Sequence, residues 1–458
     1  MMLRGYAPKQ LELPSCQRKA HRVSFAVSHL LSEDHRVRPC PDVREKTMAS
    51  KLFHLACLTL FSSAIGFSTL SFAQKKYDPG ASDTEIKIGN IMPYSGPASA
   101  YSLIGRTEEA YFRKINDEGG INGRKITFVS YDDSFSPPKA VEQARKLVES
   151  DEVFLIFQPL GTQSNSAIQK YMNGKNVPQL FVASGATKWG DPQRFPWTMG
   201  WQPNYQSEGR IYTKYIREHY PNGKIAALWQ NDDAGKDQMK GTRDGLGDKA
   251  NMIIADASYE VSDPTLDSQI ARLKASGADI FMSWTTPKAA AQAIRKIAEL
   301  GWKPVYFIGN TSSGVASTLK PAGFENAKGI ISSAYLKDPF DPTWKEDAGV
   351  REWTAFMNKY LPQGDKSDTS AVYGYAVAQT LVQVLKQCGD DLTRSNVMKQ
   401  AANLKDLKLG MLLPGITINT NANDFFPIEQ LQLMQFDGEA YRLMDGVLTG
   451  EVGGGRTN

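Results

Sequence analysis

The chain has 458 residues, more than one ordinary core can use, so two packed lobes are expected. Its hydrophobic content of 41% and charged content of 22% are those of a globular protein. The net charge of +4 comes largely from the first fifty residues, and no Lys/Arg run forms a nucleic-acid surface, so a nucleic-acid partner is not expected.

Residues 1–47 are rich in Arg and His, carry Cys16 and Cys40, and show no sustained period. They are expected to be untranslated, with the start at Met48, or disordered. From Met48 the chain reads as an export signal: Lys51, an apolar stretch from Leu52 to Leu70, then Ser71-Phe72-Ala73, with a cut expected after Ala73. An uncleaved anchor fits less well, because the stretch is rich in Ser, Gly and Thr. A lipoprotein signal at Cys57 is disfavoured by His54 and by the apolar run that continues past the cysteine. Beyond that cut, Cys388 and His219 are the remaining members of the four cysteines and five histidines. An internal disulfide, a zinc site of the usual kind and a His-dependent triad are therefore not expected, nor is any cofactor.

Downstream, short apolar runs alternate with amphipathic ones. Strands are expected at Ile86–Met92, Ile126–Tyr131, Val153–Phe157 and Leu180–Ala183, with helices over Thr107–Asp117, from Pro137, and over Ser166–Met172. Gly119 to Arg124 is a glycine turn. The segment Asp191–Pro203, with three prolines and two tryptophans, interrupts the alternation. It restarts with a helix at Tyr205–His219, strands at Lys224–Trp229, Met252–Tyr259, Ile280–Trp284 and Val305–Ile308, and helices at Leu266–Ala275 and Ala289–Leu300. A strand at Ile330–Ala334 precedes the Asp338-Pro339-Phe340-Asp341-Pro342 loop and helices over Trp344–Tyr360, Ser370–Lys386 and Thr393–Ala402. Strand-like pieces at Ile416–Ile418 and Leu431–Phe436 close the chain. Strand then helix, twice over, means two mainly parallel sheets flanked by helices, an α/β fold in two lobes.

No phosphate loop or dinucleotide fingerprint is present. The acid pairs Asp132-Asp133, Asp232-Asp233 and Asp390-Asp391 are read as loop or cap residues, because neighbours on a strand point to opposite sides. With a lone histidine and no nucleophile elbow, an enzyme is not expected. Small hydroxyl residues gather instead at strand ends: Ser95, Thr162 and Gln163, Ser184 through Gly185 and Ala186 to Thr187, and, in the second half, Trp284-Thr285 and Asn310-Thr311. In open parallel sheets such ends border one crevice, where hydroxyls and backbone N–H groups suit a small anion.

Four segments carry a resemblance: 86–97 (Ile-Lys-Ile-Gly-Asn-Ile-Met-Pro-Tyr-Ser-Gly-Pro), 116–126 (Asn-Asp-Glu-Gly-Gly-Ile-Asn-Gly-Arg-Lys-Ile), Tyr131-Asp132-Asp133, and Ser184-Gly185-Ala186-Thr187. Their order and spacing resemble type I periplasmic binding proteins, most of all the leucine/isoleucine/valine-binding class that serves ABC importers. The resemblance implies a Venus flytrap with three hinge crossovers, near Gly200–Pro203, Ile331–Tyr335 and Ile428–Gln432. It implies an N-terminal lobe of 84–202 with 335–428, and a C-terminal lobe of 203–334 with 429–450. It also implies a periplasmic location, a membrane permease as partner and a monomer. In amino-acid binders of this class the loops matching Thr162 and Gly185 to Thr187 hold the ligand carboxylate. The tyrosine and acid that hold the α-ammonium fall near Ala234 and Thr311, where neither residue type stands. The expected ligand is therefore a carboxylate without an α-amino group, aromatic or branched aliphatic, with Tyr101, Trp201 and Trp284 as apolar walls. Alternatives are an amino-acid ligand or a ligand-sensing regulatory domain. Phe135 takes the place of a cysteine that is disulfide-bonded in some relatives, and no function is assigned to it.

Overall fold

The computed structural model describes residues 75–450. The upstream segment and the signal peptide lie outside them. Two sheets carry the fold. The first has five parallel strands in the order β3-β2-β4-β5-β6, from β2 (Glu85–Met92), β3 (Lys125–Asp132), β4 (Leu155–Phe157), β5 (Gln179–Val182) and β6 (Thr198–Gly200). Its helices are α1 (Ser102–Asp117), α2 (Pro137–Arg145) and α3 (Thr162–Lys175). The central strands β4 and β5 are buried on every residue, which is why they read as unbroken apolar runs.

The chain leaves this sheet after Gly200 and enters α4 (Tyr205–His219), where the Asn204 side chain accepts N–H bonds from Gln206 and Ser207. The second sheet then forms, in the order β14-β13-β11-β10-β9-β7-β8. Strands β7 (Ile225–Gln230), β8 (Ile253–Tyr259), β9 (Ile280–Trp284), β10 (Val305–Ile308) and β11 (Ile331–Ala334) are parallel. Helices α5 (Asp233–Leu246), α6 (Asp267–Ala275) and α7 (Pro287–Glu299) alternate with them. Helix α5 lies so close to α4 that a Cβ at Gly241 would stand 2.4 Å from Gln206 Cα.

After Ala334 the chain returns to the first lobe. Helices α8 (Ala348–Tyr360) and α9 (Thr369–Cys388) pack on α1, with Tyr111 edge-on to Tyr375 at 5.1 Å. After α10 (Arg394–Ala401) it crosses once more. The antiparallel strands β13 (Gln430–Phe436) and β14 (Tyr441–Thr449) then finish the second sheet. Trp201 marks the first crossing and Tyr335 the second. They stand edge to face at 6.0 Å, and Trp201 meets Tyr373 of α9 at 5.2 Å.

Three elements differ from expectation. Strand β6 lies inside the proline-rich break, because three residues are too few to show a period. Residues 416–418 join no ladder: Ile418 makes only an isolated bridge to Leu407. Strand β14 exceeds the reading, since its face is half exposed and its apolar residues do not alternate cleanly. A further pair, β1 (Lys76–Tyr77) with β12 (Asp391–Leu392), ties the start of the described chain to the α9–α10 connection.

Candidate functional site

A cavity of about 160 Å³ opens where the strands of both sheets end, comparable with the ~150 Å³ cavities that hold a benzene ring. Its wall comes from residues at or just after the ends of β3 (Phe135), β4 (Leu160 to Thr162), β5 (Ala183), β7 (Gln230), β9 (Trp284 to Thr286), β10 (Asn310, Thr311) and β11 (Tyr335). This is the crevice that strand topology places at carboxyl ends.

Of the expected site residues, Tyr101, Thr162, Trp284, Thr285, Asn310 and Thr311 line this cavity. Thr162 opens α3 directly after Gly161, whose φ of +98° suits glycine alone. Among the described residues no side chain caps this helix, and Gly161 and Thr162 at its start line the cavity. Tyr101 bridges the lobes by donating its hydroxyl to Thr311 O at 3.1 Å, and burial pushes its pKa well above the ordinary tyrosine value. Trp284 stacks on Tyr212 with ring centroids 5.4 Å apart, and its indole N–H finds no partner among the described residues.

The other expected residues stand elsewhere. Ser95 is held by Asp132, to which its hydroxyl donates at 2.5 Å. Gln163 is half-buried on α3, outside the cavity wall. Trp201 lies behind the cavity with its indole N–H on Thr380 Oγ1 at 3.0 Å, while Tyr335 and Tyr373, packed on it, reach the wall. Ser184 is buried between Thr162 Oγ1 at 2.7 Å and Trp189 Nε1 at 2.9 Å. Gly185 packs against Tyr205, and neither it nor Ala186 lines the cavity.

Thr187 is the informative case. Its N–H and its hydroxyl both donate to Asp237 Oδ2, each at 2.8 Å. Gln206 Nε2 donates to the other oxygen at 2.5 Å. Asp237 is on α5, so a carboxylate from the second lobe fills the donors of this loop, and the adjacent Lys188–Asp233 pair at 2.8 Å lies alongside.

The acid pairs serve as caps and loop anchors. Asp232 caps α5 through Ala234 and Gly235 N–H and also receives Gln230 Nε2 at 2.6 Å. Asp133 receives Ser164 Oγ at 2.7 Å and Phe135 N at 2.9 Å. Asp390 pairs with Arg124 at 2.6 Å. His219 stacks on Tyr215 at the end of α4.

Several residues of the site were not singled out in the sequence. Phe135, without a function in that reading, forms part of the wall and covers Gly161: a Cβ there would lie 2.5 Å from its ring. Tyr205, Tyr335 and Tyr373 also reach the cavity, and burial raises the Tyr205 hydroxyl to about 12. Glu208 of α4 is buried and raised above the ordinary carboxyl value by desolvation. Its Oε1 accepts from Asn310 N at 2.6 Å, Tyr212 OH at 2.8 Å and Ser333 Oγ at 3.0 Å. It thereby fixes the turn that presents Asn310 and Thr311. The only usable signal was an aromatic or acid next to a strand end, as at Phe135 and Tyr335.

Among the described residues no Lys or Arg lines the cavity, and every lining residue from Tyr101 to Ser317 is uncharged; the acids at the wall are Asp338 and Asp341. Such a wall can hold an anion through neutral donors and a helix N-terminus.

The family model described as periplasmic binding protein matches residues 85–440. Leu/Ile/Val-binding protein homolog 1 of Brucella abortus (strain 2308) is 25% identical over 339 residues, covering 73% of this chain and 85% of that protein. Homolog 2 of the same strain is 26% identical over 344 residues, covering 71% and 85%. Among solved structures, a branched chain amino acid ABC transporter protein from Thermus thermophilus with bound valine superposes with a TM-score of 0.73 at 15% identity, covering 81% of this chain and 97% of that one. A fatty acid ABC transporter substrate-binding protein from Thermomonospora curvata gives 0.69 at 19% identity, covering 82% and 95%. The chain therefore belongs to the periplasmic binding protein family and has its type I fold.

Proposed function

We propose that the protein is the solute-binding component of an ABC importer. In this reading it captures a small carboxylate, aromatic or branched aliphatic, between its lobes in the periplasm and delivers it, as a monomer and without chemical change, to a membrane permease. The observation that carries the reading is the uncharged wall from Tyr101 to Ser317, with the uncapped start of α3 beside Thr162. A carboxylate there meets N–H and hydroxyl donors. An α-ammonium one carbon away would meet no carboxylate from that wall, and a buried ammonium without a counter-charge is costly. Asp232, which receives the Nε2 of the wall residue Gln230, is already occupied as a cap. Closure would be a population shift stabilised by contacts from both lobes.

A second reading, a branched-chain amino acid, is favoured by the names of the relatives and by Asp338 at the far wall. Calorimetric titration of the intact protein with leucine, benzoate, 3-phenylpropanoate and branched short-chain acids separates the two. Binding of acids that lack an amino group, with leucine silent, is expected; tight leucine binding with no response to those acids would overturn the first reading.

A further inference from the structure

Three buried side chains behind and at the cavity wall form a hydrogen-bond chain whose sense is fixed. Trp189 and Ser184 stand behind the wall, and Thr162 is part of it. The Trp189 indole N–H can only donate, and it donates to Ser184 Oγ at 2.9 Å. The Ala186 backbone N–H donates to the same oxygen at 3.3 Å. A hydroxyl oxygen accepts two bonds and gives one. Both acceptor positions of Ser184 are thus taken, and its proton goes to its remaining neighbour, Thr162 Oγ1, at 2.7 Å. The Tyr205 hydroxyl also lies beside Ser184. A Ser184 proton sent there would make Thr162 a third donor onto two lone pairs.

The consequence falls on Thr162. Its hydroxyl accepts from Ser184 and has no other partner among the described residues. Its own proton is therefore left for whatever fills the cavity that Thr162 lines. A buried donor proton without an acceptor is costly, and an unused lone pair is less so. We propose that Trp189 is a positioning residue for the ligand: through Ser184 it holds the Thr162 hydroxyl as a donor, so that the ligand group at the start of α3 has to accept. A carboxylate accepts and never donates. This role rests on the carboxylate reading and names the residue that enforces it.

Without the indole N–H, Ser184 regains a lone pair, and the Thr162 proton can turn back onto it. A carboxylate then loses its donor, whereas an alcohol adapts, because a hydroxyl gives as readily as it accepts. Calorimetric titration of the intact protein with 3-phenylpropanoate and with 3-phenylpropan-1-ol reads the difference. Trp189→Phe should weaken the acid about fivefold and leave the alcohol within about twofold. In a Thr162→Val background it should weaken the acid no further. Trp189 is fully buried, so if Trp189→Phe fails to fold, 3-benzothienylalanine at the same position, which keeps the ring shape and lacks the N–H, gives the same reading. An equal loss for acid and alcohol, no loss for the acid, or a loss that adds to that of Thr162→Val overturns the positioning role and leaves the carboxylate reading intact. Binding of leucine alone, or of no acid at all, by the unaltered protein overturns the reading beneath it as well.

Discussion

Two loops of the first lobe have nearly the same composition and the same place in the fold, yet opposite fates. Gly161-Thr162-Gln163 and Ser184-Gly185-Ala186-Thr187 both follow buried parallel strands and both offer hydroxyls and backbone N–H groups. The first opens into the cavity with its helix uncapped. The second is closed from outside: Asp237 of the opposite lobe takes two donors of Thr187, and Thr162 and Trp189 take the Ser184 hydroxyl. Donor chemistry alone does not make a ligand site. What the facing lobe presents decides whether the donors hold a ligand or hold the protein to itself.

The comparison can be broken from either side. The largest effect is expected at Gly161→Val, which puts a branched residue at φ +98° and drives its Cβ to about 2.5 Å from the Phe135 ring. Strain and overpacking together should cost about 3 kcal/mol in chemical denaturation, with ligand binding lost. Next is Asp237→Ala, which strands the Thr187 donors and unties α5 from the first lobe. A loss of about 2 kcal/mol is expected. The radius of gyration of the ligand-free protein by X-ray scattering should also rise; an unchanged radius would show that other contacts hold the lobes. Thr162→Val keeps the shape and removes the hydroxyl. Affinity for the best acid should fall about tenfold with a stability change near 1 kcal/mol, since the bond to Ser184 also goes. The smallest effect belongs to Lys188→Ala. Its partner Asp233 is more than half exposed, so a loss within about 0.5 kcal/mol, vanishing in high salt, is expected by denaturation at two ionic strengths.

A second contrast concerns buried acids. Glu208 accepts three bonds on one oxygen and anchors the Asn310 turn. Among the described residues Glu108 of α1 accepts a single bond, from Asn90 at 3.3 Å, and its other oxygen has no partner. Burial holds the Glu108 carboxyl well above the ordinary 4.5. The folded state therefore binds a proton that the unfolded state releases once pH passes that value. Its contribution to stability is present below it and lost as pH rises toward the folded value. Glu108→Gln, always neutral, should gain in melting temperature relative to the parent as pH goes from 5 to 8; a difference that is flat with pH would refute this.

The sequence by itself determined the two-sheet α/β plan. Buried parallel strands are short unbroken apolar runs, and helices repeat at a period near four, so both are local signals. Helix α4 and strands β9 and β10 appear at the expected residues. Local signals also placed the Thr162 loop at a strand end, and the four resembling segments pointed to the family. The tertiary structure alone decided which loop faces the cavity. Asp237 and Thr187 are fifty residues apart in sequence and on different lobes, and nothing local announces that one will fill the other. The same holds for Phe135 over Gly161 and for Glu208 beneath Asn310, each pair distant in sequence and brought together only by the packing of its lobe. Periodicity reports which face of an element is buried; it carries no information about what stands opposite, and a binding site is made of what stands opposite.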